Sequence, residues 1–305
     1  MFDGLLLILA FFAGILGTFI GGTQTFICTG FIGIVVAIVQ ACGGDISFLE
    51  PYILNGLFLP CIIFNGSVVA TAVASHYNEK IRGFETGRSL AFIQDMRILL
   101  AGGLAGVAGY LIYAVALYYD FPIDQGALSV VIIGVLARLV LNQEQFMNKS
   151  SLLFLKTRSI NYWGYQLLFA LAISFCMGVI VKYTGLYTIG FSISAFSLIF
   201  ALIDGSFPAT HHITLVAGYA YWQTQSMALC LIFGLLAHLI GLLFSYVFNL
   251  ECGTHVDPPA VAIGSLSLVI FTLFRNYQCR NRIVVGRNCE YQCHTFTKGM
   301  QRFRI

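Results

Sequence analysis

Long stretches without a charged residue constrain this chain most. The first, from Leu5 to Gln40, contains no Asp, Glu, Lys or Arg. About 20 apolar residues are enough to cross a bilayer as a helix, and several further runs approach that length. Only 10% of the residues are charged and 58% are hydrophobic, whereas a soluble domain carries roughly a quarter charged residues. The sequence therefore predicts an integral membrane protein.

The predicted fold is all-α, a polytopic transmembrane helical bundle, because a helix satisfies its own backbone polar groups inside lipid. We expect about eight spans, since roughly 20 residues are needed for each. Two of the segments are expected to be broken or re-entrant. Residues 1–274 form one transmembrane domain, with 1–75 and 186–274 as candidate repeat units. Residues 275–305 form a basic tail.

One polar stretch stands between two long apolar runs, Gly205 to Gly218 with the sequence GSFPATHHITLVAG. Such a segment cannot face lipid, so we expect it to be buried against other helices or to line a wet cavity. Gly17 to Gly30, GTFIGGTQTFICTG, aligns with it without gaps and shares the first glycine, the phenylalanine at the third position and the closing glycine. Polar, glycine-bearing interruptions in corresponding places point to the binding site of a transporter.

A second pair of motifs supports duplication. PCIIFNGS begins at Pro60 and PPAVAIGS begins at Pro258, and each follows one of the polar stretches in the same order. Both Pro-led segments are expected to run inward from the outside, which favours parallel repeats. Helix breaks in both halves favour inverted ones, and the sequence leaves the choice open.

Loop charges suggest an orientation. Loop 76–98 is basic, and so is a second loop that holds Arg138, Lys149, Lys156 and Arg158, whereas loops 41–50, 119–124 and 251–257 are acidic. The positive-inside rule then places the basic loops in the cytoplasm. The tail carries seven Arg or Lys against one Glu, so we expect a cytoplasmic C-terminus anchored near anionic lipid rather than a nucleic-acid site. Between the second basic loop and the tail, both placed in the cytoplasm, the chain must cross the membrane an even number of times, and four spans already do so. Gly205 to Tyr221 is therefore expected to enter and leave from the cytoplasm.

Candidate site residues come from both polar stretches and from the span that starts at Pro60. A histidine inside the membrane suggests function by default, as a proton relay or a substrate contact. The predicted substrate-binding residues are Thr23, Gln24, Thr25, Asn65, Thr210, His211 and His212. The predicted coupling or gating residues are Asp204, Pro208 and His238.

Each of these residues also has a structural interpretation. His211 and His212 point about 100° apart on a helix, so only one is expected to face a small ligand. His238 is expected to be a satisfied core histidine, and Asp204 either caps the following helix or binds a coupling ion. The hydroxyl and amide groups suit a neutral or zwitterionic solute, or an anion at a helix N-terminus.

Two other functions stay open at this stage. A metal-dependent intramembrane enzyme could use His211 or His212 with Glu251, His255 or Asp257 as ligands, although no HExxH pair is present. A non-transporting assembly subunit is the third class. No cofactor is expected, and the absence of a GxxxxGK[ST] motif disfavours ATP-driven transport. The spacing of Cys279, Cys289, Cys293 and His294 matches no standard zinc site.

The glycine-rich run from Ala101 to Asn142, which ends in ALSVVIIGVLARLVLN, and THVDPPAVAI from Thr254 to Ile263 carry a resemblance. The chain resembles a family of uncharacterised, permease-like prokaryotic membrane proteins over residues 1 to about 275. This implies a multi-pass protein of the prokaryotic cytoplasmic membrane, with the lipid bilayer and a small-molecule or ion substrate as partners and a homo-oligomer as an option. It supplies no site residues.

Overall fold

The computed structural model describes residues 3–47, 50–141 and 145–275, and throughout them the regular structure is helical, without strands. The α-helices are α1 (Gly4–Ile20), α2 (Gly22–Ala41), α3 (Pro60–Ser75), α4 (Met96–Tyr118), α5 (Gln125–Leu141), α6 (Ser150–Lys156), α7 (Ile160–Thr184), α8 (Ile189–Ser197), α9 (His211–Thr224), α10 (Met227–Phe244) and α11 (Pro258–Leu273). π-helical turns at Glu50–Leu57 and Ser245–Asn249 precede α3 and extend α10, and a 3₁₀ turn at Phe200–Leu202 follows α8.

Five helical segments of the described chain are long and apolar enough to cross a membrane. They are Gly22–Ala41, Glu50–Ser75, Met96–Tyr118, Ile160–Thr184 and Met227–Asn249. Shorter apolar helices cover Gly4–Ile20, Gln125–Leu141, Ile189–Leu202 and Pro258–Leu273. The all-helical class is confirmed. The predicted eight spans and two re-entrant segments stay predictions.

Local sequence explains where several helices begin and end. The side chains of Asp3, Asp95, Ser159 and Ser226 accept a hydrogen bond from a backbone N–H in the first turn of α1, α4, α7 and α10. Such caps satisfy donors that have no partner within the helix. α1 and α7 both end at a glycine with positive φ, Gly21 at 98° and Gly185 at 73°, a conformation that costs glycine little.

The helix contacts of α1–α5 recur in α7–α11. α1 packs on α3 and α4, as α7 packs on α9 and α10; α3 packs on α4 and α5, as α9 packs on α10 and α11. The α2–α3 and α4–α5 contacts likewise have counterparts in α8–α9 and α10–α11. The packing thus favours two five-helix units, here termed the first and second halves, whose limits differ from the predicted 1–75 and 186–274.

The two halves meet at corresponding helices, α2 against α8 and α5 against α11. Gly30 of α2 lets the backbones approach, because a Cβ atom there would overlap the Phe196 nitrogen and lie 2.6 Å from the Ser192 carbonyl oxygen. The ring centroids of Phe26 and Phe191 are 5.7 Å apart, and those of Phe31 and Phe196 are 5.8 Å apart. The two aromatic pairs are five residues apart on both helices, so they bracket the close approach at Gly30.

α5 and α11 run antiparallel and start in the same way. The carboxylates of Asp124 and Asp257 each accept a hydrogen bond from the N–H three residues later, of Ala127 and Ala260, at 2.7 Å. The Asp124 N–H donates to Ser267 Oγ at 2.8 Å, so the start of α5 meets the later part of α11. Reciprocally, a Cβ on Gly134 would lie 3.9 Å from the Asp257 nitrogen.

The buried guanidinium of Arg138 joins two loop segments and the π-helical turn that extends α10, at one end of the bundle. Its nitrogens donate to the Phe146 and Phe248 carbonyl oxygens at 2.6 Å, to Thr254 Oγ1 at 2.6 Å and to the Thr254 carbonyl oxygen. Arg138 is 1% exposed, so it is not the cytoplasmic loop cation that the sequence suggested. The end formed by residues 76–95, 145–148 and 250–257 is termed the clamp end.

The predicted loop orientation is wrong in two places. Loop 251–257 was assigned to the face opposite loop 76–98, yet His255 Nδ1 lies 3.2 Å from the Phe84 carbonyl oxygen. At the other end, Arg275 after α11 lies 3.7 Å from the Asp120 carboxylate, although the tail and the 119–124 turn were placed on opposite faces. The loop charges misled because Asp257 caps a helix and Arg138 is buried.

Gly30→Ala is expected to lower the free energy of unfolding by about 1–3 kcal/mol, because the added methyl group meets backbone atoms that cannot move aside. Thermal unfolding in nanodiscs, followed by tryptophan fluorescence, measures the change. Gly164→Ala in α7 is the matched control, since a Cβ there meets nothing within 4 Å. Equal melting temperatures for the two variants would contradict the close α2–α8 approach.

Arg138→Gln is expected to destabilise the protein by about 3 kcal/mol or more, because buried carbonyl groups lose their donors. Arg82→Gln serves as the control, since Arg82 is exposed and its carboxylate contact with Glu85 is 4.0 Å long; it should change stability by less than about 0.5 kcal/mol. Urea unfolding of both variants checks the difference. A similar loss from both would refute the clamping role.

Candidate functional site

The chain leaves helical structure before the histidine pair. After the 3₁₀ turn, residues 203–210 run to the start of α9 at His211. Asp204 and Pro208 are exposed there. Ser206 donates from its backbone N–H and its hydroxyl to the Asp204 carboxylate, and these bonds lower the pKa of Asp204. Both residues therefore lie on the surface, and Asp204 closes a local turn.

His211 lies buried between aromatic rings from both halves. Its ring centroid is 4.8 Å from that of Phe26 in α2 and 5.9 Å from that of Phe191 in α8. Phe26 and Phe191 are themselves one of the matched pairs across the α2–α8 contact. His211 is 5% exposed, and neither of its ring nitrogens has a hydrogen-bond partner among the described residues. Burying unpaired polar atoms is costly, so such groups need an explanation.

His212 and His238 continue a row of imidazole rings away from His211. The His211 and His212 ring centroids are 5.9 Å apart, and the angle between the ring planes is 85°. His212 stacks on His238 of α10 with centroids 6.4 Å apart and an angle of 16°. His238 Nε2 lies 2.7 Å from Gln166 Oε1, but the Nδ1 atoms of both rings lack a partner in the described structure. His238 is thus only partly satisfied.

The α1–α2 break is held by loop 76–95. The Gly22 N–H donates to the Thr86 carbonyl oxygen at 2.7 Å, and Gln24 Nε2 donates to the Gly87 carbonyl oxygen at 2.7 Å. The Thr25 hydroxyl donates to the carbonyl of Gly22 within its own helix. Thr23 also lies beside Gly87, so this segment faces the loop.

Asn65 and Thr210 take separate positions. Asn65 is fully buried in α3, and its Nδ2 donates to the Cys61 carbonyl oxygen at 2.8 Å, while its Oδ1 has no partner among the described residues. It faces the α3–α4 contact, where a Cβ on Gly109 would lie 2.8 Å from its Nδ2. Thr210 precedes α9, and its carbonyl oxygen accepts hydrogen bonds from the Ile213 and Thr214 N–H groups.

His255 and Asp257 form a second polar group at the clamp end. His255 Nε2 lies 3.2 Å from Asp257 Oδ1, and the His255 ring contacts the Phe64 ring at 5.8 Å between centroids. The Asp257 carboxylate is close enough to His211 to interact electrostatically with it. Within the part of the chain that the structure describes, no three His, Cys, Asp or Glu residues converge as metal ligands. The geometry therefore does not favour the alternative metal set.

Three carbonyl oxygens in loop 76–95 are the feature that sequence reasoning missed. Those of Thr86 and Gly87 accept from the start of α2, and that of Phe84 faces His255 of the second half. The loop thereby connects the α1–α2 break with the second polar group. Backbone acceptors leave no trace in residue type, and the only local signal was the glycines at 83 and 87. The tail cysteines and His294 lie outside the described residues.

A family profile matches almost the whole described chain. The match is to the Family of unknown function (DUF7973), over residues 1–154 and 159–276. The chain belongs to this family. The interval between the matched segments falls at the end of α6, between the two five-helix halves. No curated protein and no solved structure matches the chain. The expected membership of an uncharacterised family is confirmed, and the permease-like and prokaryotic character stays a prediction.

His211→Phe is expected to leave the free energy of unfolding unchanged within about 1 kcal/mol or to raise it, because it removes buried atoms without partners. Thr214→Val, one turn later, is the comparison: it deletes the hydroxyl bonds to Ser194 Oγ and the His211 carbonyl, both 3.1 Å long. It should cost about 1 kcal/mol. Thermal unfolding in nanodiscs distinguishes them, and a larger loss for His211→Phe would show that His211 is held by structural bonds.

Proposed function

We propose that the protein is a multi-pass membrane transporter, either a permease or a channel, for a small solute in a prokaryotic cytoplasmic membrane. The observation that carries this proposal is His211. Its buried ring has no hydrogen-bond partner in the part of the chain that the structure describes. It begins a helix after a break, and it touches α2 and α8 where the halves meet. Polar groups at a helix break between repeats are typical of transporter substrate sites.

The arrangement of the halves supports this proposal. Two units of five helices, with their last helices antiparallel, fit inverted-topology repeats, since an odd number of crossings reverses the second unit. We propose α1–α5 and α7–α11 as these units, in place of the two shorter segments. The clamp end then lies on one membrane face, and the 119–124 turn lies with Arg275, just after α11, on the other.

The lining of the site indicates a class of solute. Phe26 and Phe191 supply flat apolar surfaces, and His211 supplies one donor and one acceptor when neutral. Asp257 is the carboxylate whose charge reaches His211. A small neutral or zwitterionic solute suits this combination. The row His211–His212–His238 brings three imidazole rings together in the bundle, and a proton gradient is the driving force we propose.

His211→Phe is expected to reduce solute-dependent proton movement in proteoliposomes at least about tenfold, because it removes both hydrogen-bonding atoms of the site. Liposomes loaded with a pH dye receive an imposed pH gradient and a panel of small neutral and zwitterionic solutes. Gly164→Ala, on an open face of α7, is expected to retain wild-type flux.

Two results would overturn the proposal. One is a wild-type protein that moves neither solute nor protons under any gradient, which would leave an assembly role. The other is bound metal that is lost on His211→Phe without any change in flux, which would indicate the enzyme alternative.

A further inference from the structure

The two contacts of the His255 ring can both be hydrogen bonds only if the His255–Asp257 pair carries one proton more than a neutral imidazole beside an ionised carboxylate. His255 Nδ1 lies 3.2 Å from the Phe84 carbonyl oxygen, and His255 Nε2 lies 3.2 Å from Asp257 Oδ1. A carbonyl oxygen has no hydrogen, so Nδ1 must carry one. In a neutral ring Nε2 is then an acceptor, and it faces the oxygen of a carboxylate.

Both contacts become hydrogen bonds only when the pair holds one more proton. The proton can lie on the imidazole, which then donates from both nitrogens, or on Asp257, whose O–H then donates to Nε2. The other carboxylate oxygen accepts from the Ala260 N–H at 2.7 Å in either case. Loss of that proton leaves a single ring hydrogen for two acceptors, so one of the two contacts must break.

These contacts connect the two halves of the molecule. Phe84 belongs to loop 76–95 of the first half, and His255 lies in loop 250–257 of the second. The loops also touch through their backbones, because a Cβ on Gly83 would overlap the Gly253 carbonyl oxygen. The same loop 76–95 holds the α1–α2 break through Thr86 and Gly87. Gain or loss of a proton at His255 therefore affects the contacts that join the loops of the clamp end.

Neighbouring groups determine how this proton responds to pH. Arg138 of α5 is bonded to Thr254, the residue before His255, and His211 of α9 interacts with Asp257. Phe64, the contact from α3, does not titrate. The two loops themselves also carry titratable or charged residues: His76, Tyr77, Glu79, Lys80, Arg82, Glu85, Arg88 and Asp95 in loop 76–95, and Glu251 and Cys252 in loop 250–257.

We infer that the His255–Asp257 pair is a proton-binding site whose proton closes the clamp end by joining the loops of the two halves. The inference deepens the proposed function, since it places the coupling proton at this pair rather than on the buried histidine row. The proton binding itself does not depend on transport. The structure shows the joined form.

Solid-state NMR of the full chain in liposomes, with isotope-labelled histidine and aspartate, tests the proton directly. His255→Gln identifies the His255 signals by difference. Between about pH 5 and about pH 9, either side of an ordinary histidine pKa, we expect the extra proton to be present at the acidic end and lost at the alkaline end. It shows as a doubly protonated ring or as a protonated Asp257 carboxyl. A neutral ring beside an ionised Asp257 throughout the range would overturn the inference.

Hydrogen exchange of loop 76–95, followed by mass spectrometry and corrected for the intrinsic effect of pH, tests the closure. Loss of the proton should speed exchange about tenfold, the equivalent of one charge-assisted hydrogen bond. Asp257→Ser keeps a helix-capping hydroxyl but should abolish this pH dependence, whereas Asp124→Ser, the same change at the start of α5, should retain it. Equal exchange of the wild-type loop at both pH values would refute the closure.

The measurements on the wild-type protein test both the extra proton and the closure even if a variant fails to fold. They also separate the two proposals. A titrating His255 in a protein without solute flux supports the proton site and counts against transport. Solute flux in a protein whose His255 holds no extra proton supports transport and overturns the proton site.

Discussion

The structure depends on one constraint, that polar groups buried in an apolar bundle need partners within the chain. Most hydroxyls meet it within their own helix: Thr18 donates to the Gly14 carbonyl, Thr71 to Ser67 and Ser174 to Ala170. These groups are therefore packing elements and offer little to a ligand. The imidazoles of α9 and α10 do not bond to a carbonyl of the previous turn in this way. Several of their nitrogens have no hydrogen-bond partner among the described residues, so these rings are where a ligand could supply one.

The same constraint explains how much could be predicted. The helical class followed from long apolar runs, because no other open structure satisfies the backbone in lipid. The expectation that His211 is functional rests on the rarity of histidine in such runs, and it stays a prediction. The role of the Thr25 hydroxyl could not be read from sequence, because whether a threonine binds its own helix or a ligand depends on its rotamer and its neighbours.

The correspondence between the two halves could not be predicted from the sequence, for another reason. The ungapped match of Gly17–Gly30 to Gly205–Gly218 rests on glycine and phenylalanine, which are common in membrane helices. By helix packing, the α1–α2 junction at Gly21 corresponds instead to the α7–α8 junction at Gly185. The clearest signals that the two halves share are a glycine with positive φ that ends a helix and an aspartate whose carboxylate accepts a hydrogen bond from the N–H three residues later. Both are too short to stand out in a single sequence.

The two capping aspartates also show how corresponding positions can differ in chemistry. At the end opposite the clamp, Asp124 of the first half accepts a 2.6 Å hydrogen bond from the Tyr219 hydroxyl of the second. A tyrosine hydroxyl ordinarily keeps its proton near neutral pH, so this link between the halves does not respond to physiological pH. Asp257 instead lies beside the His255 imidazole, with its Oδ1 3.2 Å from the ring Nε2. Under the proton site that we propose at His255 and Asp257, one end of the bundle responds to protons and the other does not, and that difference gives the two halves a direction.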